Sequence, residues 1–92
     1  VIRESIKEIR EIYVNSPYNN YLGMEIVSFE EESVVIALPV TPSLLNVVDT
    51  AHGGATFSLL DSAIGATVRM AAKQPVVTVS MSIHYFSPME IK

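Results

Sequence analysis

Residues 52–73 read HGGATFSLLDSAIGATVRMAAK, and this stretch decides the fold. From Gly54 to Lys73 alanine, leucine, methionine and small residues follow one another almost without a break, and no proline appears before Pro75. Such a run predicts a long, largely buried helix. Asp61 is its sole acidic residue, with apolar neighbours on both sides. A carboxylate in those surroundings loses hydration unless a partner or a task retains it, so Asp61 is the first candidate for chemistry. The plainer reading is that it faces solvent or bonds a neighbouring strand.

His52-Gly53-Gly54 stands immediately before the helix. Unpaired backbone N–H groups and the positive end of the helix dipole meet there, an arrangement able to polarise a carbonyl oxygen. Paired glycines also serve as ordinary helix-starting turns, so the triplet alone is a weak signal. Eight residues separate Gly53 from Asp61. That is a helical rise of about 12 Å, too far for one reacting centre within one chain. Two such helices packed antiparallel would bring Gly53 of one copy towards Asp61 of another, which makes a dimer the expected catalyst. Ala55, Ser58, Ser62, Gly65 and Ala66 would permit that close approach, and they suit packing against a curved sheet equally well.

Working outward, Ile2, Ile6, Ile9, Ile12 and Tyr13 recur at helical spacing and predict an amphipathic helix over about 1–15. Ser16-Pro17 and Asn19-Asn20 end it and lead into a loop. Two strands, over 21–29 and 33–40, follow from their β-branched and aromatic content. Glu30-Glu31-Glu32 between them reads as the solvated bend of a hairpin. Residues 41–51 predict an ordered loop leading into the long helix. Val77, Val79, Met81, Ile83 and Tyr85 alternate with Thr78, Ser80, Ser82 and His84, so residues 76–86 predict a long strand. The order helix, strand, strand, helix, strand without repeats or linkers belongs to the α+β class, in a single domain over 1–92.

Composition narrows function. The 92 residues are 49% hydrophobic and 17% charged with a net charge of −4, and no basic stripe is present to hold nucleic acid. So much apolar content on so short a chain predicts self-association. Absence of cysteine removes thiolate nucleophiles and thiolate metal sites and fits a cytoplasmic location. The long uncharged stretches are interrupted by proline and fall short of the roughly 18 apolar residues of a membrane span, so no membrane partner is expected. The methionines read as core filling.

Taken together, Asn46-Val47-Val48-Asp49-Thr50-Ala51-His52-Gly53-Gly54, Leu59-Leu60-Asp61-Ser62-Ala63, Thr78-Val79-Ser80-Met81 and Tyr85-Phe86-Ser87-Pro88 resemble the PaaI-like hotdog-fold acyl-CoA thioesterases. The resemblance runs over about 21–88 and implies a curved antiparallel sheet wrapped around a long central helix. It further implies an acyl-CoA substrate, a homodimer or homotetramer with the site at the dimer interface, and neither cofactor nor metal. By position, Asp61 would be general base or nucleophile, and the Gly53 N–H would hold the thioester oxygen. Asn46 and His52 would shape the site, and Thr78 would position water. His84 matches no catalytic position of the family. Two departures stand out. Asp49 occupies a position where the family usually has glycine, and two or three further strands would be expected beyond Lys92. A non-catalytic acyl-CoA-binding or structural hotdog module is the alternative reading, and a hydratase of the same fold a third.

Overall fold

The computed structural model describes residues 3–78 and 80–84. Helix α1 spans Ile6–Val14, helix α2 Pro17–Leu22, strands β1 and β2 Glu25–Glu30 and Ser33–Ala37, and helix α3 Gly53–Ala72. A single 3-10 turn, Pro42–Leu44, lies in the loop before α3.

Each boundary has a local cause. A capping box starts α1: the Ser5 hydroxyl accepts from the Glu8 N–H and the Glu8 carboxylate accepts from the Ser5 N–H, both at 3.2 Å. The helix therefore begins later than the expected span. Where a loop was expected, the chain makes α2. Pro17 occupies its first turn, where a missing N–H costs nothing, and Gly23 closes it with φ 89°. The predicted first strand loses its N-terminal part to this helix, and Tyr21 is 87% exposed. The second strand ends at Ala37, three residues short of the expected Val40.

The hairpin itself is as the sequence indicates, with Glu30 opposite Ser33 and the turn between them. A bulge lies between Ile26 and Ser28. The extra residue leaves Val27 62% exposed, and it resets the alternation so that Ile26 and Phe29, three apart, both face the core.

That core is Ile9 from α1, Phe29 from β1, and Ala66 and Met70 from α3, flanked by Ile6, Tyr13, Ile26, Val34 and Ile36. Helix α1 is wedged between the hairpin and α3, with the Tyr13 and Phe29 rings 5.8 Å apart. The Glu4 carboxylate binds the Arg69 guanidinium through two bonds, the longer 2.8 Å, and the Glu4 N–H donates to the Lys73 carbonyl at 2.9 Å. Lys73 in turn pairs with Glu31 at 2.9 Å. The start of α1, the hairpin bend and the end of α3 are thus tied together.

Helix α3 is less covered than its composition predicts. Ala55, Ala66 and Met70 are buried, whereas Leu60, Ile64 and Val68, one turn apart, are 40%, 52% and 47% exposed. Elements α1, β1 and β2 cover one side of the helix and leave this stripe bare. The predicted strand over 76–86 also needs correction: its described residues, 76–78 and 80–84, pair with no neighbouring strand, and Val79, Tyr85 and Phe86 lie outside the described residues. The alternation holds over 81–84, where Met81 and Ile83 are half-buried and Ser82 and His84 exposed, but not at Val77, which is 86% exposed. Alternation fixes which side chains face inward, but a strand forms only against an edge that completes its hydrogen bonds.

Candidate functional site

The loop before α3 is organised by Asn46. Its side-chain carbonyl accepts from the Val48 N–H at 3.0 Å and the Thr50 N–H at 3.1 Å, while its amide donates to the Thr50 hydroxyl at 2.8 Å. The Asn46 N–H also donates to the Thr50 carbonyl at 2.8 Å, and Leu45 bridges Ala51. The turn so formed puts Asp49 at φ 61°, in the left-handed region. Asparagine, aspartate and above all glycine tolerate that conformation, which gives a physical reason for glycine being usual there and for aspartate being able to replace it.

From this turn the chain delivers His52 to the N-cap of α3, with its N–H donating to the Leu44 carbonyl at 2.8 Å. Its Nδ1 accepts from the Gly54 N–H at 2.8 Å, as a capping side chain does for the second or third residue of a helix. Nδ1 must then be unprotonated, so the neutral ring carries its proton on Nε2 and presents a donor. A Cβ at Gly54 would stand 3.0 Å from His52 Nδ1 and 3.2 Å from Cε1, so a side chain there would require the imidazole to give by a few tenths of an ångström.

Two turns along the helix, Asp61 is half-buried rather than fully enclosed, and its Oδ1 accepts from the Thr78 hydroxyl at 2.5 Å. This bond fixes the orientation of the carboxylate. Both residues line a cleft of about 380 Å³ together with Tyr13, Asn19, Ser62 and Gly65. Burial pushes the Tyr13 phenol above its ordinary value of 10, with the Asp61 charge adding to the shift and Arg69 opposing it. A second cleft of about 490 Å³ lies at the N-terminal end of α3, where His52, Gly54 and Ser58 meet Leu22, Leu44 and Phe57. Sequence reasoning missed α2, which joins the two. Its Tyr18 hydroxyl bonds the Ser58 hydroxyl at 2.7 Å, and its buried Asn19 accepts from the Ser62 hydroxyl at 3.0 Å. The signal was present as serines spaced four apart on α3, one helical turn.

The structure therefore brings Thr78 to Asp61, and Asn46 to the loop that carries His52 and Gly53. It leaves the two groups apart within one chain, at about the 12 Å that helix geometry dictates. Ile64 and Val68, three and seven residues beyond Asp61, share its side of α3 and are exposed. Among the described residues no group of three metal-binding side chains occurs, and no helix is long and apolar enough to cross a membrane.

This arrangement, a glycine-led central helix beside an antiparallel hairpin, has close structural counterparts. The E. coli PaaI protein from the phenylacetic acid degradation operon superposes with a TM-score of 0.80 at 27% identity, over 92% of this chain and 61% of that one. The family model described as thioesterase superfamily matches residues 49–92, the segment carrying His52, Gly53, Asp61 and Thr78. Just under half of the chain, residues 49–92, is thus similar to the thioesterase superfamily. The chain's fold is of the hotdog type, a long central helix with an antiparallel sheet. In sequence it is 38% identical over 52 residues to the acyl-coenzyme A thioesterase PaaI of E. coli K12, a match covering 56% of this chain and 37% of that enzyme. Mouse thioesterase superfamily member 2 superposes with a TM-score of 0.72 at 28% identity, over 98% of this chain and 68% of that one. The chain thus spans well under half of the curated thioesterase and about two thirds of its structural counterparts.

Proposed function

We propose that this protein hydrolyses an acyl-CoA thioester to the free acid and CoA, at a site shared between two copies of the chain. The observation that carries the reading is the placement of Asp61: half-buried, fixed by Thr78 on a cleft, and beside an exposed apolar stripe of α3. A second α3 lying antiparallel along that stripe supplies what one chain lacks, a helix N-terminus next to the carboxylate. In the general-base route Asp61 takes a proton from water as the water oxygen bonds the thioester carbon. The Gly53 N–H of the other copy holds the resulting oxyanion, and collapse breaks the C–S bond and releases CoA thiolate to be protonated. In the nucleophilic route the carboxylate attacks the thioester carbon directly, and the C–S bond breaks to expel CoA thiolate and leave a mixed anhydride. Water then opens the anhydride to the free acid and the regenerated carboxylate. Thr78 orients the carboxylate in either route, while Asn46 and His52 hold the loop and the helix start in place. A homodimer or a tetramer built from it, and a cytoplasmic location, belong to this reading.

The noncatalytic alternative draws on Asp49 and on the further strands expected beyond Lys92; the left-handed turn accommodates aspartate without disturbing Asn46 or His52, which answers the first ground. A panel of acyl-CoAs with free-thiol detection tests the proposal. Wild type should release CoA, and Asp61→Asn and Asp61→Ala should lower kcat by about 10²–10⁴-fold, the usual worth of a positioned acid or base. Undiminished turnover in both variants would remove the mechanism.

A further inference from the structure

We infer that Tyr18 is a specificity-determining residue that sets the length of acyl group the enzyme accepts, an inference that rests on the thioesterase reading. Tyr18 lines both clefts and is the one residue common to them: the apolar cleft at the His52 end of α3 and the cleft holding Asp61 and Thr78. The first is walled by Leu22, Leu44, Leu45, Ala55 and Phe57, a surface suited to hydrocarbon, and its volume of about 490 Å³ is within the usual range for small-ligand sites. In this proposal Tyr18, which lines both and is 57% exposed, forms the ridge between the clefts. Its hydroxyl is pinned to Ser58 at 2.7 Å, and the next residue, Asn19, is buried and bound to Ser62 one turn further along α3. Two bonds a turn apart therefore fix α2 on α3 and leave the ring little freedom to withdraw. An acyl chain lying in the apolar cleft meets that ring at its far end, and chains longer than the cleft must displace it.

The test compares kcat/KM across straight-chain acyl-CoAs from butyryl to dodecanoyl for wild type, Tyr18→Phe, Tyr18→Ala, Ser58→Ala and Asp61→Asn. Opening the ridge should raise the ratio of long-chain to short-chain kcat/KM at least ~10-fold in Tyr18→Ala, the scale at which pockets discriminate a methylene or two. Ser58→Ala, which releases the ring without removing it, should shift the ratio in the same direction by less, and Tyr18→Phe should do likewise. A chain-length profile unmoved in Tyr18→Ala and Ser58→Ala, while wild-type hydrolysis still depends on Asp61, overturns this inference alone. No hydrolysis by wild type, or hydrolysis indifferent to Asp61→Asn, overturns the thioesterase reading and this one with it. If Tyr18→Ala does not fold, Ser58→Ala and Tyr18→Phe decide by the same ratio.

Discussion

At the level of single residues, Asp61 and His52 were legible because each violates its surroundings: a carboxylate in an apolar run, and a histidine ahead of paired glycines. Thr78 was less so, since threonine is an ordinary strand residue, and only the bond to Asp61 distinguishes it. Asn46 emerges as the organiser of its loop, through two accepted backbone bonds that no spacing rule reveals. The conformation of Asp49, at φ 61°, makes a direct prediction. Asp49→Ala puts a side chain with no local hydrogen bonding into the left-handed region and should lower unfolding free energy by about 1 kcal/mol, whereas Asp49→Gly should not. Denaturant titration of the three proteins checks it, and equal loss in both variants would show that the carboxylate itself holds the turn.

Among the elements, α3 and the hairpin could be read from composition and alternation, and α1 from its helical period. The start of α1 was missed, although Ser5-Ile6-Lys7-Glu8 has the spacing of a capping box that marks it. Helix α2 was hidden because its proline was taken as a stop rather than a first-turn residue. The bulge at Val27 was hidden because strict alternation does not anticipate an inserted residue. Ile9, fully buried where α1 meets β1 and α3, is the side chain on which this packing most depends. Ile9→Ala should cost about 2–5 kcal/mol by transfer and cavity terms together. Chemical denaturation measures it, and a loss below about 1 kcal/mol would mean that α1 is not part of the cooperative core.

For the whole molecule, the tie between the N-terminal segment and the end of α3 is electrostatic as well as apolar. The Arg69 guanidinium bound to Glu4 holds its carboxyl below the ordinary value of 4.5, while partial burial works the other way. A depressed carboxyl favours the folded state above the unfolded value. That contribution should be complete above pH 4.5 and withdrawn as pH falls towards the lower folded value. Thermal unfolding should therefore show a steeper acid decline between those values for wild type than for Glu4→Gln, and parallel declines would contradict the pairing. The excess of apolar residues expected on so short a chain is located in part on the bare stripe of Leu60, Ile64 and Val68, the face on which the proposed dimer would form. The register of two chains was not legible, because sequence spacing fixes only what one helix cannot do alone.

A site built from two chains is tested most directly by mixed oligomers. Gly53 is the first residue of α3 and His52 before it is extended at ψ 136°, so Gly53→Pro can remove the N–H donor at a position where helices accept proline. Asp61→Asn and Gly53→Pro chains, each inactive alone, would be co-expressed with different tags and purified through both. Each mixed dimer then holds one site with an intact carboxylate facing an intact donor, and should recover roughly half the wild-type thioesterase activity. Activity no higher than that of either parent would mean that Asp61 and Gly53 do not meet across two chains.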